Sequence, residues 1–227
     1  MAQAAELHLT EAHAEHDEHR DDIGSKLGMW FFLFTEILLF GGLFIVYSVY
    51  RFKHAEAFAT ASAELDVFIG TINTLVLITS SMTVAMSISA IQRKKPRLAI
   101  NLLWFTIFCA GVFMFNKYFE WGHKFDHGIY PGSSIFPGGS TAREAWQVTP
   151  SEVFAPAEGM FFVLYYLMTG LHGLHVIIGS IFIIVIIAKI KRGTQSHDNF
   201  AQHENAGLYW HLVDLIWIYL FPLMYLI

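Results

Sequence analysis

Apolar residues in this chain form long runs separated by polar stretches, with no alternation of the kind a half-buried strand would show. The runs cover 26–50, 66–91, 99–121, 159–188 and 207–227. Each exceeds the roughly 20 residues a helix needs to cross a hydrocarbon core about 30 Å thick. Helices are the expected state, because an open strand in lipid would leave backbone N–H and C=O groups without partners. The pattern therefore predicts an all-α integral membrane protein, a five-transmembrane-helix bundle in residues 26–227, preceded by a polar, His-rich acidic tail over 1–25. Pro222 lies inside a run but close to its end, so no broken-helix transporter pattern is visible.

Composition agrees with the runs: 55% of the 227 residues are hydrophobic, 16% aromatic and only 15% charged. The net charge of −5 is concentrated in the tail, and no basic stripe suited to nucleic acid occurs. Cys109 is the one cysteine, which excludes an intrachain disulfide. The tail lacks the apolar core of a cleavable signal, so the first span is expected to direct insertion. Beside His8 the tail carries His13, His16 and His19, whose spacing could hold a metal loosely, but solubility is the simpler reading.

Lys and Arg divide unevenly between the two sides. Nine, including Arg93, Lys94, Lys95 and Arg97, fall on the side of the amino terminus, and five on the other. This places the N-terminus in the cytoplasm and the C-terminus outside. The 122–157 connection, with Pro131, Pro137, Pro150 and Pro156, then reads as an external loop of turns and a candidate contact surface.

Polar side chains within the runs are the candidate site residues. Glu36 sits mid-way along the first, where an acidic group costs about 2.5–3.5 kcal/mol and faces a bundle interior or a wet path. Desolvation favours its neutral form. In the second run Asn73, Thr74, Ser80 and Ser81 suit helix–helix hydrogen bonds, and Asn73, Leu77, Ser80 and Val84 share a stripe. In the third, Glu120 is expected to reach water near the helix end. In the fourth, Tyr165, Met168, His172, His175 and Gly179 make one polar, small-residue stripe beside Thr169. Its histidines suggest haem ligation, or packing with hydrogen bonds to neighbouring helices, and packing is favoured because opposed histidine ligands are scarce. In the fifth, His211 and Asp214 stand three apart and are expected to pair, with Glu204 just before the span.

In order along the chain stand Phe34-Thr35-Glu36, Asn73-Thr74 with Ser80-Ser81, Tyr166 through Thr169, Gly170, His172, Gly173, His175 and Val176 to Gly179, and Glu204 through Tyr209, Trp210, His211, Val213 and Asp214 to Trp217. This succession resembles subunit III of the haem-copper respiratory oxidases, in its five-helix bacterial form, over about residues 24–227. The two helices that precede the glutamate helix in seven-helix members are not present. The resemblance implies a subunit of cytochrome c oxidase without a redox centre of its own. Its catalytic subunit I and subunit II would carry the haems and copper. It further implies bound phospholipid, a multi-pass location in a bacterial cytoplasmic membrane, and compatibility with a larger respiratory supercomplex. The implied work is to stabilise the catalytic subunit and to support proton uptake, Glu36 matching the family's carbodiimide-reactive carboxyl. A quinol oxidase subunit or a nitric oxide reductase accessory subunit are the alternatives within the resemblance. Outside it stand a haem-binding protein using His172, His175 and His211, and a proton-coupled transporter using Glu36 and Asp214.

Overall fold

The computed structural model describes residues 2–127, 129, 156–193 and 201–227, with side chains from residue 24 onward except that of Pro156. The described residues form six helices in order: α1 (Ala2–Lys53), α2 (Ala55–Ser62), α3 (Val67–Gln92), α4 (Pro96–Asp126), α5 (Pro156–Lys191) and α6 (Ala201–Tyr225). Five are long and apolar enough to span a membrane, with the α1 span at Gly24–Lys53.

The boundaries differ from the sequence expectation where polar residues continue a helix past the hydrocarbon. The backbone of the tail is helical from Ala2. Its Ala, Glu and Leu are strong helix formers, so hydropathy alone misses it. Helix α2 lies in the connection after the first span, too short to register as a run, and its Phe58 is wedged edge-on against Tyr47 and Phe161. The reading of the 122–157 loop as a contact surface falls mostly on residues outside those described, and the tail histidine side chains lie there too.

Local sequence explains the helix ends. Asp66 caps α3, its carboxylate accepting from the N–H groups of Phe68 at 2.8 Å and Ile69 at 3.2 Å. At the other end Lys94 takes the left-handed conformation (φ 57°), and the N–H of Lys95 returns to the carbonyl of Ala90. Pro96 then opens α4 at its first turn, where a missing N–H costs nothing.

Helices α3 and α4 pack along their length, α6 lies against α3 and α5, and α1 touches α2, α5 and α6. The α3–α4 seam is joined by Thr83 to Thr106 at 2.8 Å and by Asn116 to Asn73 at 2.8 Å. The α5–α6 seam depends on Gly179, where a Cβ would stand 2.9 Å from the Trp210 ring. The core is aromatic, with Trp210, Trp217, Tyr165 and Phe113 fully buried. Helix α1 is the peripheral member, its Trp30, Phe31, Phe34 and Leu38 turned outward.

Candidate functional site

Glu36 points inward from α1 onto α5. Its Oε2 lies 2.8 Å from Nε2 of His175, and the two side chains are 13% and 9% exposed, so the contact is shielded from bulk water. The other ring nitrogen fixes the chemistry of the contact. His175 Nδ1 is 2.7 Å from the carbonyl oxygen of Leu171, which can only accept, so Nδ1 carries a proton. One further proton then suffices for the Glu36 contact, held by the carboxyl or by Nε2, and the pair is neutral overall in either form. Phe40 meets the imidazole edge-on at 5.3 Å, and Tyr209 donates to the His175 carbonyl at 3.3 Å. The arrangement can bind, keep and pass a proton between two atoms on different helices.

The expected pairing of His211 with Asp214 does not form. His211 Nδ1 is instead 2.5 Å from the Ser81 hydroxyl, and neither carboxyl oxygen of Asp214 has a hydrogen bond, although Ser80 and Ser81 face it. Three-residue spacing lets two side chains meet on an isolated helix, but α3 packs onto that face of α6 and Ser81 reaches the imidazole first. Ser80 donates to the Leu77 carbonyl at 2.7 Å and accepts from Trp210 Nε1 at 3.0 Å.

The remaining motif residues are placed as follows. His172 is completely buried between Phe113 (5.4 Å, edge-on) and Trp217 (5.2 Å), and neither ring nitrogen has a partner, so it packs against its neighbours without the hydrogen bonds expected of it. Thr74 accepts from Trp217 Nε1 at 3.1 Å, tying α3 to α6. Thr169 donates to the Tyr165 carbonyl within its own helix. Asn73 accepts from Asn116. Glu204 pairs with Lys26 at 2.9 Å and, with Asn205 donating to Ser25 at 3.0 Å, fastens the start of α6 to α1.

Sequence reasoning missed a buried ionic cluster. Glu120 does not reach water as expected: it pairs with Lys117 at 2.9 Å, their side chains 4% and 7% exposed. The ammonium donates to Glu120, Tyr165 (3.1 Å) and Tyr225 (2.8 Å), using all three protons, and both phenols donate to Glu120 at 2.6 Å. Every group in the cluster is satisfied, which makes so deep an ion pair tolerable. The Lys-Glu spacing of three within an apolar run was the signal available for it. Among the described residues, no three His, Cys, Asp or Glu side chains converge as a metal site would require.

A family model described as cytochrome c oxidase subunit III matches residues 144–227, which take in α5 and α6. Cytochrome c oxidase subunit 3 of Thermostichus vulcanus is 32% identical over 229 residues, covering 100% of this chain and 96% of that protein. The protein of the same description from Rhipicephalus sanguineus is 31% identical over 222 residues, covering 89% of this chain and 70% of its own length. A heme-copper oxidase subunit I+III of Aeropyrum pernix is 29% identical over 208 residues, covering 89% of this chain and 22% of that longer protein.

Proposed function

Because the chain belongs to the cytochrome c oxidase subunit III family, we propose that, as subunit III of a haem-copper oxidase, it steadies the catalytic subunit and supports proton uptake through Glu36. Assembly with subunit I is what such a subunit does, and the relative whose name joins subunits I and III in one chain is in keeping with it. The outward apolar side of α1, bearing Trp30, Phe31, Phe34 and Leu38, offers a surface to a neighbouring subunit or to lipid. The relatives' name speaks for cytochrome c over quinol as the electron donor. The excess of Lys and Arg on the amino-terminal side supports a cytoplasmic N-terminus, in a bacterial cytoplasmic membrane, with phospholipid along the apolar exterior.

The observation that carries the proton role is the Glu36–His175 contact. It couples a carboxyl and an imidazole through one shared proton, inside the membrane span, on the spanning helix that packs least against the others among the described residues. Intramembrane ionisable pairs of this kind mark proton relays. The test is Glu36→Gln in the purified complex. The reading expects intact haem and copper spectra with slower proton uptake or a shorter active lifetime in turnover. Loss of a redox centre, or turnover and uptake equal to the parent's, would overturn it.

A further inference from the structure

A second carboxyl lies deeper than Glu36 and is unexplained by that role. Asp214 is 3% exposed, and both of its oxygens are without a hydrogen bond. A bare carboxylate so placed would cost several kcal/mol. The groups facing it do not offset that cost. From α3 they are the hydroxyls of Ser80 and Ser81, while the buried Cys109 thiol of α4 lies within electrostatic reach. Three residues along α6, Trp217 lies 5.2 Å from the His172 ring of α5.

The surroundings also include a way out. Ser81 stands between Asp214 and His211, with its hydroxyl 2.5 Å from His211 Nδ1. His211 in turn lines a groove of about 400 Å³ at the amino-terminal end of the bundle, together with Lys26 and Trp30 of α1, Ile88 of α3, and Glu204, Asn205 and Leu208 of α6. With Nδ1 engaged by Ser81, Nε2 is the nitrogen left for the groove. Lys26 and Glu204 already neutralise each other at its rim, so the imidazole meets no net charge there.

We propose that Asp214 is an internal proton-storage site, filled and emptied through Ser81 and His211 from this groove. At rest the carboxyl holds the proton, Ser81 donates its hydroxyl hydrogen to Nδ1, and Nε2–H faces the groove. On release the carboxyl, which has no hydrogen bond at rest, closes onto the facing Ser81 hydroxyl; its proton passes to the Ser81 oxygen, the serine hydrogen moves to Nδ1, and the Nε2 proton leaves to water in the groove. One proton enters the line and one leaves it. The imidazole ends as the other tautomer and resets by a ring turn or by re-protonation from the groove. The site uses neither Glu36 nor His175 and stands or falls apart from the reading above.

The test is infrared spectroscopy of the purified oxidase complex, following the acid carbonyl band of Asp214 and its shift on transfer to deuterated buffer. The band should vanish in Asp214→Asn and move in Asp214→Glu, which serves if the asparagine variant does not assemble. Exchange of its proton should slow by about tenfold or more in Ser81→Ala and in His211→Gln, because each interrupts the line. Glu36→Gln should alter neither band nor rate. The absence of an acid carbonyl belonging to Asp214, exchange unaffected by both line variants, or loss of the band in Glu36→Gln would each overturn the proposal.

Discussion

Glu36 on α1 and His175 on α5 stand 2.8 Å apart, with the second imidazole nitrogen held by Leu171, so that a single proton serves the contact. Removing the imidazole leaves the carboxyl in an apolar setting with no base to take its proton. His175→Phe should therefore increase modification of Glu36 by a hydrophobic carbodiimide, read by mass mapping of the labelled peptide. Unchanged or reduced labelling at Glu36 would show that the imidazole does not hold the proton in the parent.

The Lys117–Glu120 cluster predicts an asymmetry between single and double changes. Lys117→Met alone strands a buried carboxylate and should cost about 3–5 kcal/mol of subunit stability. Lys117→Met with Glu120→Leu removes both charges and should restore most of that loss, although the phenols of Tyr165 and Tyr225 lose their acceptor. Unfolding of the subunit in graded denaturing detergent measures both. A double variant as weak as the single one would mean that the ion pair is not the unit of stability.

His172 is buried with both ring nitrogens unpartnered, so its polarity adds nothing that its volume does not. His172→Leu should be neutral or should stabilise the subunit by up to about 1–3 kcal/mol, the penalty of an unsatisfied buried group, against a small loss of ring contacts with Phe113 and Trp217. The haem content of the complex should not change. A haem lost with the subunits still associated would assign the imidazole a ligand role.

Ser81 and His211 should behave as a coupled pair. In a double-substitution cycle, Ser81→Ala with His211→Phe should show an interaction energy of about 0.5–3 kcal/mol, the range for residues in direct contact. Simple addition of the two single effects would remove the contact from the account of α6.

Gly179 allows α5 and α6 to close on each other. Gly179→Ala puts a methyl group 2.9 Å from the rigid indole of Trp210, which is itself bonded to Ser80 and cannot turn away freely. The expected cost is about 1–3 kcal/mol. It should appear as faster loss of the subunit from the complex in detergent, and equal retention would show that the seam can shift.

The spans were legible because a bilayer demands long apolar runs, and that demand shows in single-residue chemistry. Glu36 was legible for the same reason: one carboxyl among apolar neighbours stands out without a structure. Its partner was not, since 139 residues separate Glu36 from His175 and periodicity cannot say which helix faces which. The His211–Asp214 expectation failed on the same ground. Spacing along α6 permitted the pair, but Ser81, 130 residues earlier, took the imidazole. Helix α2 and the helical tail were hidden because neither has the hydropathy of a span, whereas the Lys117–Glu120 pair could have been read from spacing.

The order of synthesis gives the Glu36–His175 contact a history. A ribosome adding roughly 5–20 residues per second makes His175 some 7–28 s after Glu36. During that interval the first span has left the translation channel while α5 and α6, two of the three helices it touches, do not yet exist. Glu36 spends that interval without its partner, and α1 can dock only after most of the chain has followed it. The tie between α1 and α5 is thus a late contact in the making of the subunit, closed by the helix that arrives second.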